Sequence, residues 1–124
     1  MSRTLLVIDD EPAWHKLLRR IFEGSGFLVR TASGFREGVL MAERHKPDCI
    51  VLDFHLKDGD ALDVCAALRE DGRLKYPVII FSSDPCAEIL TYAECRADFF
   101  VLKGSHAMME LPAIVERMLA RAGG

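Results

Sequence analysis

The stretch LLVIDDEP, residues 5–12, decides how this chain is read. Four apolar residues stop at three consecutive acids and a proline. An unbroken apolar run of that length suits a strand buried on both faces, as in a parallel sheet. Pro12 suits the first turn of a helix that follows. Asp9, Asp10 and Glu11 then lie at the carboxyl end of a strand, where sites form in open α/β sheets. Adjacent carboxylates repel and raise one another's pKa, so the cluster needs a reason to be tolerated.

The same alternation continues down the chain. Apolar runs recur at FLVRT (27–31), CIVLD (49–53), VIIF (78–81) and FFVL (99–102). FLVRT is the most polar and is expected nearer an edge. Helical spacing of apolar residues marks 12–23, 35–45, 61–70 and 107–120, and more weakly 87–94. Gly24 and Gly26 close the first of these segments and Pro47 the second. Five β-α repeats predict an α/β fold, a parallel five-stranded sheet with helices on both faces. A single domain over 1–124 is expected, with its core at about 3–121 and RAGG as a frayed tail.

The chain has 124 residues, half of them hydrophobic and 28% charged, with a net charge of −3. That size buries roughly two-thirds of the unfolded surface, enough for a core without staples. No basic excess supports a nucleic-acid-binding surface. The four cysteines, Cys49, Cys65, Cys86 and Cys95, include no CxxC pair. Cys49 and Cys65 read as small core hydrophobes, and a reduced cytoplasm fits better than a disulfide framework. The N-terminus lacks the features of a signal peptide. No apolar run approaches the roughly 20 residues needed to span a bilayer, so no membrane association is expected.

Chemistry collects where the runs end. The first ends in the acid cluster, the third in Asp53, the fourth in Ser82 and Ser83, the fifth in Lys103. With strand order 2-1-3-4-5, one of the common doubly wound orders, strands one and three are neighbours. Carboxylates, a hydroxyl and an ammonium then converge. Clustered carboxylates suit a hard divalent cation such as Mg²⁺, and lysine with serine suits an anion rich in oxygens. Together they describe a Mg²⁺-assisted phosphoryl site. No Walker A loop implies a nucleotide. Asp53 is the natural nucleophile, since aspartate forms acyl phosphates.

DDEP (9–12), VLDFHLKDGDALDV (51–64), VIIFSS (78–83) and FFVLKG (99–104), in that order and each at a strand end, resemble a response-regulator receiver domain of two-component signalling, of the CheY-like superfamily. The resemblance covers essentially the whole chain. It implies a flavodoxin-like (βα)5 fold in the order 2-1-3-4-5. It implies that Asp53 accepts a phosphoryl group from a histidine kinase or a phosphotransfer protein, and that Asp10 binds Mg²⁺ directly. Asp9 would act through water, and the backbone carbonyl of His55 would add a ligand. Lys103 would pair with phosphoryl oxygens. Ser82 would move to hydrogen-bond the phosphoryl group, with Phe100 following it inward as the aromatic switch. Catalysis would be limited to gaining and losing its own phosphoryl group. With no output domain in view, a stand-alone receiver acting by protein contact or phosphorelay is expected.

Each residue also has a plainer reading. The acids could simply cap a helix, Ser82 could be structural, and Phe100 could be ordinary core. His55 could be a solvated loop residue, a ring ligand, or, with Asp84, a tuner of hydrolysis. Trp14 could fill core or anchor a partner beside His15, Lys16 and Arg19. Gly104 stands where most relatives carry a cis proline, so its peptide bond is either trans or strained. A phosphorylation-independent interaction module and an aspartyl-phosphate-type phosphohydrolase are the competing functions.

Overall fold

The computed structural model describes residues 3–123. Five parallel strands form one sheet: β1 (Thr4–Ile8), β2 (Leu28–Ala32), β3 (Cys49–Leu52), β4 (Val78–Ser82) and β5 (Phe99–Leu102). Their order is 2-1-3-4-5, as the motif pattern implied. β2 is an edge strand, which explains its polar sequence: Leu28 is exposed and Arg30 only half-buried. The ladder with β1 pairs Thr4 with Leu28, so this strand begins one residue later than its apolar run.

The uniformly apolar strands serve two cores at once. Leu6, Ile8, Ile50, Leu52, Val78 and Ile80 face one way, and Leu5, Val7, Cys49, Val51, Ile79 and Phe81 the other. This is the period-two alternation of a sheet covered on both sides. Helices α1 (Pro12–Glu23) and α5 (Ala107–Gly123) cover the second face with Leu18, Phe22, Leu111 and Val115. Helices α2 (Phe35–His45) and α3 (Ala61–Ala67) cover the first.

Three boundaries depart from the expectation. α3 ends at Ala67 rather than running to residue 70. Arg69–Glu70 instead pairs antiparallel with Arg73–Leu74, across Asp71 and Gly72, both at positive φ. Asp-Gly is the dipeptide that such a tight hairpin demands. The segment after β4 is not one helix but a four-residue α4 (Ala87–Leu90) that runs into a π-turn, Thr91–Cys95. α5 continues to Gly123, so most of the expected frayed tail is helical. There is no cis peptide among the described residues, and the Lys103–Gly104 bond is trans.

α2 begins without a side-chain cap of its own, at Gly34. Asp58 reaches across from the loop after β3 to accept the Phe35 and Arg36 N–H groups at 2.7 and 3.1 Å. These two bonds hold its carboxyl below the usual carboxylate range. A Cβ on Gly34 would lie 2.6 Å from Asp58 Oδ1, so any larger residue there would have to displace the capping carboxylate. Asp58→Ala removes this cap, and a lower midpoint is expected in urea unfolding.

Candidate functional site

The sheet carries its chemistry at the carboxyl ends of β1, β3, β4 and β5. Asp9 and Asp53 extend the ladders just past the strands: Asp9 N–H donates to Ala32 O at 3.0 Å and Asp53 N–H to Ile8 O at 2.8 Å. Both carboxylates are therefore fixed by backbone register. Asp9 is 1% exposed and Asp53 7%. Asp9 Oδ1 also accepts the Glu11 N–H at 2.9 Å, which folds the acid run back as it enters α1. His15 Nε2 lies 2.6 Å from the Asp9 carbonyl oxygen.

Lys103 follows β5, its N–H bonded to Ser82 O at 2.8 Å. Its side chain is 4% exposed, and its ammonium stands 2.7 Å from Asp9 Oδ2, 3.3 Å from Asp53 Oδ2 and 3.6 Å from Glu11 Oε1. Trp14 and Phe81 pack edge to face at 5.0 Å. The ammonium lies 5.3 and 5.6 Å from their ring centroids, within range of cation–π attraction. Burial pulls the lysine pKa down, but the pairs with Asp9 and Asp53 outweigh it and leave it raised. For Asp53, burial and the charge of Asp9 push the carboxyl up to about 6, against the opposing pull of Lys103.

Asp9, Asp10, Glu11 and Asp53 each bring a carboxylate oxygen into one group, all within 4.8 Å of one another. An all-oxygen acidic set suits Mg²⁺ better than a softer metal. Asp9 Oδ2 is buried without an aligned hydrogen bond, answered only by the lysine charge. That unsatisfied oxygen fits a further cation, so the cluster could hold a metal ion. Glu11 belongs to the set and was not singled out as a ligand from sequence; its signal was the acid run itself.

Around this centre the remaining residues divide. Ser82 is buried, its hydroxyl accepting the Asp84 N–H at 3.1 Å. His55 starts a short hairpin in which His55–Leu56 pairs with Gly59–Asp60. Its Nε2 meets Asp84 Oδ2 at 2.9 Å, joining the loops after β3 and β4. The His55 and Cys86 bonds hold the Asp84 carboxyl below its ordinary range. Phe100 is half-buried against the α2–α3 core, and its N–H donates to the Tyr92 hydroxyl at 2.9 Å. Tyr92 was not anticipated, because nothing local marks a π-turn tyrosine as the partner of a strand amide eight residues on. Trp14 is half-buried as a wall of the lysine slot rather than fully exposed.

Residues 5–116 match the family described as the response regulator receiver domain. The chain belongs to that family. Receiver domains are generally signalling modules rather than enzymes. The chain is 35% identical to the alkaline phosphatase synthesis transcriptional regulatory protein PhoP of Bacillus subtilis (strain 168), over 98% of its own length and 50% of that protein's. It thus spans about half of that relative. The signal receiver domain of a signal transduction histidine kinase from Syntrophus aciditrophicus superposes with a TM-score of 0.83 at 28% identity, covering 96% of this chain and 91% of that one. A two-component response regulator from Clostridium difficile shares the fold, with a TM-score of 0.85 at 22% identity, over 99% of this chain and all of that one. Among the described residues no helix is long and apolar enough to cross a membrane.

Proposed function

We propose that this receiver domain takes a phosphoryl group on Asp53 from a histidine kinase or a histidine phosphotransfer protein, with Mg²⁺ as the cofactor. The observation that carries this reading is the Asp53 carboxylate, nearly buried, beside one ammonium and three further acids. Asp9, Asp10, Asp53 and the His55 backbone carbonyl are the groups that would hold Mg²⁺. When bound, Mg²⁺ supplies charge neutralisation to phosphoryl oxygens.

A carboxyl titrating at about 6 is mostly ionised at neutral pH and is the nucleophile. An Asp53 oxygen bonds to phosphorus, the donor's N–P bond breaks, and the freed imidazole nitrogen takes up a proton. Lys103 turns its ammonium from the carboxylates to the phosphoryl oxygens. Ser82 releases the Asp84 amide and donates to the same group, and Phe100 follows inward. The population of the α4, β5 and α5 face shifts, which changes partner binding or passes the phosphoryl group on. Trp14, at the site end of α1, contributes to docking the phosphodonor. A cytoplasmic location and a protein rather than nucleic-acid partner complete the reading for this domain.

Incubation with Mg²⁺ and acetyl phosphate is expected to add one phosphoryl group to the intact mass. Asp53→Ala, or omission of Mg²⁺, is expected to prevent it. No addition despite measured Mg²⁺ binding would favour a phosphorylation-independent interaction module.

The His55–Asp84 pair joins the loops that follow β3 and β4, the strands leading to Asp53 and Ser82, which supports a role in how water reaches the acyl phosphate. His55→Ala and Asp84→Ala are each expected to change the dephosphorylation rate several-fold. Identical decay of phosphoprotein in all three proteins would remove the pair from the mechanism.

A further inference from the structure

The hairpin that pairs Arg69–Glu70 with Arg73–Leu74 plays no part in the phosphoacceptor site. It lines a cavity of about 440 Å³ together with Pro77, which leads into β4, and Asp98, which leads into β5. The cavity therefore opens at the amino ends of these strands. The length of β4, Val78 to Ser82, separates it from the acid cluster, roughly 13 Å at about 3.3 Å per residue.

The whole chain has a net charge of −3, yet this cavity is cationic. Its charged lining is Arg69, Arg73, Lys75 and Arg96 against Asp98 alone. The Asp98 carboxylate is already engaged, accepting the Val78 N–H at 2.9 Å. Lys75 pairs with Glu43 at 2.6 Å. The arginines differ: among the described residues, no ion pair uses Arg69, Arg73 or Arg96. Arg69 Nη2 donates to the Cys95 carbonyl at 2.6 Å. That bond ties the guanidinium to the wall and uses one of its five N–H donors. Like charges lining one cavity repel, so an anion between them is favoured.

The rest of the wall narrows the kind of anion. Guanidinium groups match phosphate oxygens with paired N–H donors. A single phosphate needs neither three arginines nor this volume, which is on the scale of a small-molecule site. Leu74 and Tyr76 supply an apolar side, and both pack on the α2–α3 core. The Tyr76 hydroxyl donates to the Ala42 carbonyl at 3.2 Å, which holds the ring in place. A fixed aromatic ring beside arginines suits a nucleobase joined to a phosphate chain, because every base has a face that stacks.

We propose that this cavity binds a nucleoside di- or triphosphate, its phosphates held by Arg69, Arg73 and Arg96 and its base set against Tyr76 and Leu74. Arg69 and Arg73 belong to the hairpin and Arg96 follows the π-turn. The bound phosphates bridge these two segments. The site is separate from Asp53 and needs neither Mg²⁺ nor a phosphodonor.

The test titrates the full chain with ATP by calorimetry, in chelator and at low salt, with GTP, pyrophosphate and adenosine as comparisons. ATP and GTP are each expected to bind once per chain. Pyrophosphate is expected to bind about tenfold more weakly, since it has no base to stack, and adenosine to give no heat. Arg73→Gln and Arg96→Gly are each expected to weaken ATP about tenfold, the effect of losing a charge-assisted hydrogen bond. Arg96 has φ 51°, a conformation that glycine adopts freely, so Arg96→Gly removes the guanidinium without straining the backbone. Lys57→Gln removes the same charge from an exposed position in the loop after β3 and is expected to leave ATP affinity unchanged. Amide resonances of residues 69–76 and 96 are expected to shift with ATP, and those of 53 and 103 to stay. The proposal is overturned if millimolar ATP gives neither heat nor shifts, if Lys57→Gln weakens binding as much as the arginine variants, or if the shifts centre on residues 53 and 103. Pyrophosphate binding as tightly as ATP would overturn the nucleoside assignment. A single-stranded oligonucleotide binding more tightly than ATP would overturn it in favour of a nucleic-acid surface. With no phosphodonor present, none of these outcomes depends on phosphorylation of Asp53.

Discussion

Lys103→Met destabilises the Mg²⁺-free protein by about 3–5 kcal/mol, the range seen when one partner of a buried ion pair is removed. The lysine side chain is 4% exposed and is the cation nearest Asp9 and Asp53. Without it, Asp9 Oδ2 has no charged partner and no aligned hydrogen bond. The methionine stem still fills the space between Trp14 and Phe81, so the loss reports charge rather than volume. The deficit is expected to be largest above pH 6, where Asp53 is ionised, and to shrink as the pH falls and Asp53 takes up a proton. Adding Mg²⁺ is expected to recover part of the loss, because a cation that binds only the folded state stabilises it by mass action. Unfolding in urea, with chelator and with Mg²⁺, measures both effects. Equal deficits in the two conditions would show that these carboxylates do not gather a metal.

Asp53→Asn has two opposite consequences. Phosphoryl uptake from acetyl phosphate falls to nothing, because an amide is not a nucleophile for phosphorus at neutral pH. The Mg²⁺-free protein nevertheless becomes more stable. The Asp53 carboxyl titrates at about 6 instead of near 4, so the folded protein takes up a proton that the unfolded chain has already released. Unfolding free energy therefore falls as pH rises from about 4 to about 6, and the cost is fully present above that window. A displacement of that size corresponds to at most about 3 kcal/mol. Water at the open side of the site and the lost contact to Lys103 reduce the expected gain to about 1–2 kcal/mol. A rise in Tm of several degrees follows, growing from pH 4 to 6 and level beyond. A variant no more stable than its parent at pH 7 would mean that Lys103 already compensates the burial of this acid.

Much of this arrangement is legible in one dimension. β1, β3 and β4 announce themselves as apolar runs because each is buried on both faces, and β2 announces its edge by its polar residues; β5 is equally apolar in sequence yet forms the other edge, with Phe99 and Phe100 half-buried and Leu102 exposed. Asp9, Asp53, Ser82 and Lys103 are readable because each stands where an apolar run stops, and a parallel sheet brings all such ends to one side. The helices were less exact. Apolar spacing continues past Ala67, but the Asp71-Gly72 turn overrides it. Nothing in the spacing of 87–94 distinguishes an α-helix from α4 and its π-turn.

The sequence by itself determined the sheet, its two cores and the side on which the acids and Lys103 meet. Those follow from local patterning and from the single geometry available to consecutive β-α units. Only the tertiary structure decided which groups touch. Asp9 is the nearest partner of Lys103, Asp58 caps α2 from another loop, His55 closes on Asp84, and Tyr92 holds the Phe100 amide. These pairings depend on angstrom-scale distances between side chains on separate elements. Residue order fixes the elements, and packing sets the distances.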